Sequence, residues 1–121
     1  MYKILGWTNA IVTLILILPF ALQAISKKKE GVLHSITKFL RKAHKPLGIV
    51  ILISVAAHGI LALGAFTLHT GTVAGIAFVV AALLGVLFMW LKKKQIFKIH
   101  RILAYIYVLI VIMHLLLPSL L

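Results

Sequence analysis

Residues 44–59 read HKPLGIVILISVAAHG, an apolar stretch with one histidine at its start and another near its end. Apolar residues continue as far as Phe66. A helix rises about 1.5 Å per residue, so about 20 residues cross the roughly 30 Å hydrocarbon layer of a membrane. Residues of a membrane-spanning strand would alternate in polarity, and these do not. The stretch therefore predicts a transmembrane helix over residues 44–66.

Three similar apolar stretches accompany it, and together the four predicted spans cover residues 4–25, 44–66, 72–91 and 99–117. Helices and closed barrels are the two structures that satisfy backbone hydrogen bonds inside lipid, and the lack of alternation excludes the barrel. The sequence thus predicts an all-α membrane protein. We expect residues 1–121 to form one antiparallel, up-and-down bundle of four transmembrane helices.

The composition agrees with this fold and excludes several kinds of metal site and catalytic mechanism. The chain of 121 residues is 64% hydrophobic and 12% charged, whereas soluble domains are about 25% charged. It has no cysteine, which excludes disulfides, thiolate metal sites and iron–sulfur clusters. Glu30 is its one acidic residue, so a mechanism that uses two carboxylates is excluded as well.

The net charge of +12 is explained by membrane topology and does not require a nucleic-acid partner. Of the 13 Lys and Arg residues, seven lie within residues 27–45 and five within residues 92–101. Because basic loops remain in the cytoplasm next to anionic lipid, both ends of the chain are expected outside a cell membrane. Residues 31–42 have an amphipathic helical pattern, which fits an interfacial helix or an extension of the second span.

Four of the six histidines form a regular pattern. His44 and His58 are 14 residues apart in the second span, and so are His100 and His114 in the fourth. This spacing leaves two side chains only about 40° apart around a helix and about 21 Å apart along it. Because one span intervenes, both helices run in the same direction. His44 can therefore meet His100 at the inner level, and His58 can meet His114 at the outer level.

Two imidazoles that face each other across a flat macrocycle form a six-coordinate haem iron, and this geometry predicts two such sites. The alternative is that these are separate structural or interfacial histidines, although polar groups deep within a span are usually functional. His34 and His69 fall outside the pattern and are interpreted as surface or boundary residues. For His69, a hydrogen bond to an outer haem propionate or to an incoming acceptor is a second possibility.

Residues near the histidines fit this interpretation. Gly48 and Ala104, one turn after His44 and His100, have small side chains that would leave room for a macrocycle. The ring of Tyr107 lies midway between the two levels. Cations flank the inner pair, where they could bind haem propionates: Arg41, Lys45, Lys98 and Arg101. Residues 42–45 (KAHK) and 98–101 (KIHR) also align, which predicts two pseudo-repeated helical hairpins.

Paired histidines on the second and fourth helices resemble the dihaem core of membrane cytochromes b. The same core occurs in respiratory bc complexes and in the membrane domains of ferric reductases and NADPH oxidases. This resemblance implies two haem b groups with the axial pairs His44/His100 and His58/His114. The chain departs from the reductases because it carries no Gly-rich dinucleotide fingerprint, so electrons would come from a separate donor.

These features lead to three functional hypotheses. The first is electron transfer across the membrane between redox proteins or a quinone, either as an electron carrier or as part of an oxidoreductase. The second is a haem-containing anchor subunit of a respiratory complex. The third is a small transporter or a proton-conducting bundle that uses histidines, although few polar residues are present to line a path.

Overall fold

The computed structural model describes residues 1–25, 30–63 and 68–117, which form a bundle of four helices. Their bounds are α1 Tyr2–Ile25, α2 Val32–Leu63, α3 Thr70–Leu91 and α4 Lys94–Leu116. All four are long and apolar enough to cross a membrane, which confirms the prediction of an all-α chain with four helices of spanning length. Part of the second predicted span, residues 64–66, lies outside the described residues.

Helix α2 is longer than the apolar stretch that predicted it. It begins at Val32 and includes Pro46, so the amphipathic segment extends the second span and is not a separate interfacial helix. At about 1.5 Å per residue, its 32 residues reach about 48 Å, well beyond a hydrocarbon layer of about 30 Å. The first turns of α2 therefore extend past the end of the apolar span.

A tight turn joins α3 to α4. Lys92 ends α3 in the left-handed conformation, with φ at 54°, and its backbone N–H donates to the Phe88 carbonyl at 2.9 Å. Helix α4 begins two residues later, at Lys94. Because the connection is so short, α3 and α4 pack side by side along their lengths.

Helix packing leaves α2 and α4 diagonally opposite each other. The close helix pairs are α1 with α2 and α3 with α4, while α2–α3 and α1–α4 contacts are fewer. No Cα atom of α2 lies within 8 Å of one in α4 among the described residues. A small core of Leu16, Ile51, Ala74, Phe78 and Tyr107 fills the centre. Side chains from the two diagonal helices can therefore meet inside the bundle.

Contacts within each close pair run in opposite order along the two helices. Phe20 of α1 contacts His44 of α2, whereas Asn9, which comes earlier on α1, accepts through Oδ1 from Ser54 Oγ, which comes later on α2. In the other pair, the Phe88 ring packs on Phe97 near the short turn. As a result, the two histidines of α2 lie at different levels of the bundle.

Candidate functional site: two histidine pairs inside the bundle

The inner site, defined as His44 and His100, brings together the two side chains that the sequence paired. Their ring centres are 6.2 Å apart and the ring planes are perpendicular. An imidazole nitrogen binds a first-row metal such as zinc at about 2.0 Å, and the ring centre lies about 1.1 Å beyond that nitrogen. Two imidazoles on opposite sides of one metal would thus have ring centres about 6 Å apart. The inner spacing fits that requirement.

Backbone carbonyls determine which nitrogen of each inner imidazole carries the proton and which carries the lone pair that could bind a metal. His44 Nδ1 lies 3.2 Å from the carbonyl oxygen of Leu16 on α1, and His100 Nδ1 lies 2.7 Å from that of Ala81 on α3. A carbonyl only accepts hydrogen bonds, so each Nδ1 must donate. In a neutral imidazole the lone pair is then on Nε2, which is the arrangement found in metal-bound histidines.

A glycine allows His100 to approach α3 this closely. A Cβ atom built on Gly85 would lie 3.2 Å from His100 Cε1 and 3.4 Å from its Nδ1. Gly85 is one turn after Ala81, the residue whose carbonyl accepts from His100. Because glycine has no side chain, the imidazole can lie against the backbone of α3 and reach that carbonyl.

The outer site, defined as His58 and His114, borders a cavity of about 310 Å³ that all four helices line. Small residues form much of its wall: Gly6, Ala10, Gly71, Ala74 and Gly75. His58 of α2 and His114 of α4 both line this cavity. Both imidazoles therefore face one space in the outer half of the bundle.

Side chains and glycines position the outer rings too. His114 Nδ1 is 2.8 Å from Thr70 Oγ1, so the threonine hydroxyl orients that imidazole. A Cβ atom on Gly6 would lie 3.0 Å from His58 Cε1, and one on Gly71 would lie 3.0 Å from His114 Cε1. Each ring thus packs directly against the backbone of a neighbouring helix, as His100 does at the inner site.

His69 lies at the outer site but is bonded differently. It is the N-cap of α3, where its Nδ1 accepts from the backbone N–H of Gly71 at 2.9 Å. Its half-buried ring is nearly parallel to that of His114, with centres 6.1 Å apart. Since Nδ1 accepts, the proton of neutral His69 is on Nε2. The ring is therefore set up as a hydrogen-bond donor rather than as a metal ligand.

The other predicted site residues occupy varied positions. Ala104 and Arg101 line a small cavity beside the inner site, Tyr107 lines the outer cavity, and a Cβ atom built on Gly48 would meet nothing within 4 Å. Arg41 hydrogen-bonds to Gln23 and lies over Phe20, and Arg101 lies over Phe97. Lys45 and Lys98 are exposed. Arg41 thus reaches the inner site through Phe20, which also contacts His44.

Several residues of the sites were missed by the sequence analysis. The glycines that face His114 and His100, Gly71 and Gly85, are 14 residues apart, so they repeat the histidine spacing on α3 and could have been found. The accepting carbonyls of Leu16 and Ala81 carry no comparable signal, because every residue has a carbonyl. Their role depends on how α1 and α3 lie against α2 and α4.

Within the described part of the chain, no three His, Cys, Asp or Glu side chains group together as a metal site, so the candidate ligands occur as pairs. The class defined by fold and site is a four-helix membrane-type bundle with histidine pairs at two levels. The chain matches no protein-family model, no curated protein and no solved structure.

Proposed function

We propose that this protein is a dihaem cytochrome b that carries electrons across a membrane. One observation carries the proposal: at the inner site, both Nδ1 atoms donate to backbone carbonyls while the ring centres lie 6.2 Å apart. Two structural histidines would not need both the spacing of trans axial ligands and matching tautomers. His44 with His100 and His58 with His114 would be the axial pairs of two haem b groups.

The chain's own residues would provide three things at each site. Imidazole Nε2 atoms would bind iron, Nδ1 partners would keep the rings of His44, His100 and His114 oriented, and glycines at positions 6, 71 and 85 would let the rings lie close to the neighbouring helices. When bound, each haem supplies a one-electron couple at its iron. Arg41 and Arg101 would pair with the propionates of the inner haem.

Two haems at these levels would form an electron path through the hydrocarbon layer. The ligands of one helix are about 21 Å apart along its axis, and the macrocycle edges would be considerably closer. Tyr107 and Phe78 pack on each other, 5.1 Å apart, between the two levels. The path depends on an up-and-down arrangement of the four helices, with the two hairpins related as pseudo-repeats.

Orientation follows from the charges. The basic residues near the ends of α2 and α4 would lie in the cytoplasm of a multi-pass protein in the cell membrane, with both ends of the chain outside. The inner haem would then exchange electrons with a cytoplasmic protein drawn to this basic surface. The outer haem would exchange them with a quinone or an extracytoplasmic redox protein.

The test is a redox-difference spectrum of the purified protein together with haem quantitation. We expect a b-type spectrum and about two haems per chain after expression with ample haem. As a matched control, His34→Ala removes an exposed histidine outside both sites and should leave the haem content unchanged. Colourless, iron-free protein that is otherwise folded would refute the proposal.

A further inference from the structure

The first turns of α2 project beyond the reach of lipid chains. Lys45 is the last charged residue before the apolar part of α2, and it comes 13 residues after Val32, where the helix begins. At about 1.5 Å per residue, Val32 lies about 20 Å beyond Lys45 along the helix axis. The headgroup region on one side of a bilayer is only about 5–8 Å thick. The start of α2 therefore lies in water.

Three large apolar side chains lie on one side of this projecting segment. Val32 is 77% exposed, Ile36 45% and Phe39 70%. Steps of four and three residues separate them, so at about 100° per residue they lie within about 60° of one another around the helix. Thr37, which is buried, lies about 140° from Val32, so the apolar stripe faces away from the bundle. An apolar stripe exposed to water is typical of a surface that binds another molecule.

The stripe continues along the whole of α2 with the same spacing. Val50, Ile53 and Ile60 are 60%, 68% and 71% exposed. They continue the steps of three and four residues that begin at Val32, with Ala or Pro at positions 43, 46 and 57. Lipid chains would cover this part, as they would cover the outer faces of the other helices, but they do not reach Val32. Another helix with the same spacing would cover both parts, because alternating steps of three and four residues are the pattern of a coiled coil.

We infer that α2 packs along this stripe against α2 of a second copy of the chain, in a parallel dimer with two-fold symmetry. Copies inserted with one topology run in the same direction, so two α2 helices related by an axis along the membrane normal are parallel. Identical residues then meet at identical levels, and apolar side chains face each other from Val32 to Ile60. A second copy is thus a partner whose stripe matches in length, spacing and direction. This inference does not depend on haem.

The basic residues of α2 fit this arrangement because they lie away from the stripe. Lys38, Arg41 and Lys45 are about 120–180° from it around the helix. Lys42 lies at its edge, and in a parallel coiled coil the residue there faces the position five residues later in the partner, which is Leu47. Along the described length of α2, no basic side chain would therefore face another across the pair.

The experiment is disulfide cross-linking of single-cysteine variants of the full-length chain in membranes, since the chain has no native cysteine. In a parallel coiled coil the stripe positions approach their own copies, within the roughly 4.4–6.8 Å that a disulfide requires between Cα atoms. With a mild oxidant we expect Ile36→Cys and Phe39→Cys to shift from monomer to dimer on a non-reducing gel. Lys38→Cys is the matched control, because it is exposed at the same level on another side of α2 and should stay monomeric.

The mass of the protein in detergent provides a second measurement. The wild type should have twice the mass of one chain, and Ile36→Lys should have the mass of one, because two cations would then face each other across the pair. His34→Lys adds the same charge on the other side of α2 and should remain a dimer. Thermal unfolding of both variants checks that each is folded.

Cross-linking of the stripe variants alone, with loss of the dimer in Ile36→Lys only, supports the inference. Equal cross-linking at all three positions, or none at any of them, would overturn it. A monomeric wild type whose positions 36 and 39 are shielded from an impermeant thiol reagent would assign the stripe to headgroups or to a different protein, and would also overturn it. Because neither measurement uses haem, a colourless dimer would refute the proposed function alone, and a monomer that binds two haems would refute this inference alone.

Discussion

Replacing Gly71 by alanine should disturb the outer site selectively. A Cβ atom at this position would lie 2.7 Å from His69 Cε1 and 3.0 Å from His114 Cε1. Carbon atoms pack best at about 3.5–4.0 Å, so the His69 ring would have to move by about 0.8 Å and the His114 ring by about 0.5 Å. The first shift strains the N-cap of α3, and the second moves the proposed ligand His114, which lies 2.8 Å from the Thr70 hydroxyl.

The expected size of the effect follows from two opposing contributions. Extra volume in a well-packed interior costs about 1–3 kcal/mol. Alanine is favoured over glycine within a helix by roughly 0.5–1 kcal/mol, which offsets part of that cost. If most of the overpacking falls on the ligand ring, the outer haem should bind about 5- to 150-fold more weakly, the range that corresponds to about 1–3 kcal/mol.

The assay is haem content per chain together with the redox-difference spectrum, and Gly59→Ala is the matched control. A Cβ atom on Gly59 would meet nothing within 4 Å, so that variant should keep both haems and be at least as stable as the wild type. Thermal unfolding in detergent compares the two variants without reference to haem. If Gly71→Ala binds both haems as tightly as Gly59→Ala does, or loses the inner haem first, the packing described for the outer site is wrong.

Three further predictions concern the ligand pairs, the orienting hydrogen bond and the topology. His44→Ala and His100→Ala should remove the same haem and leave the other in place, and spectra that show the loss of different haems would contradict the pairing. Thr70→Val keeps the shape of the side chain but removes the hydroxyl next to His114. The affinity of the outer site for haem should fall about 10- to 100-fold in a haem titration, the usual effect of removing a hydrogen-bond partner of a metal ligand. An affinity equal to that of the wild type would show that this hydroxyl does not orient the ring. Because the chain has no native cysteine, Lys93→Cys and Leu68→Cys can each be labelled alone, and an impermeant thiol reagent added outside cells should modify only the cysteine at position 68. Labelling of position 93 alone would invert the topology.

The limits of the helices show where sequence patterns and structure differ. The second predicted span began at His44 because hydropathy marks the residues that lie in hydrocarbon. Helix α2 begins at Val32 because helical hydrogen bonds do not require lipid and continue where a polar face is solvated. Hydropathy therefore predicted how many helices there are and which residues of each are apolar enough to cross a membrane, while the length of α2 was left open between two alternatives.

His69 gives a second example of this difference. The sequence placed it at the surface or boundary, and in the structure it caps α3 and packs beside His114. An N-cap made by a histidine ring has no strong sequence signal, because Ser, Thr, Asp and Asn are the usual residues there. The contact with His114 depends on where α4 ends relative to α3, and that position is a property of the packed bundle.

The sequence by itself determined the class of the protein and the levels of its histidines. Hydrocarbon thickness sets the length of a spanning helix, and the helical repeat places residues 14 apart on nearly the same face. The class of the protein and the levels of its histidines therefore follow from local rules. Only the tertiary structure decided which nitrogen of each inner ring is free. That choice depends on the carbonyls of Leu16 and Ala81, which lie on other helices and far from their histidine partners in sequence. Contacts of this kind depend on how the helices are rotated and shifted against one another, and no pattern within a single helix encodes them.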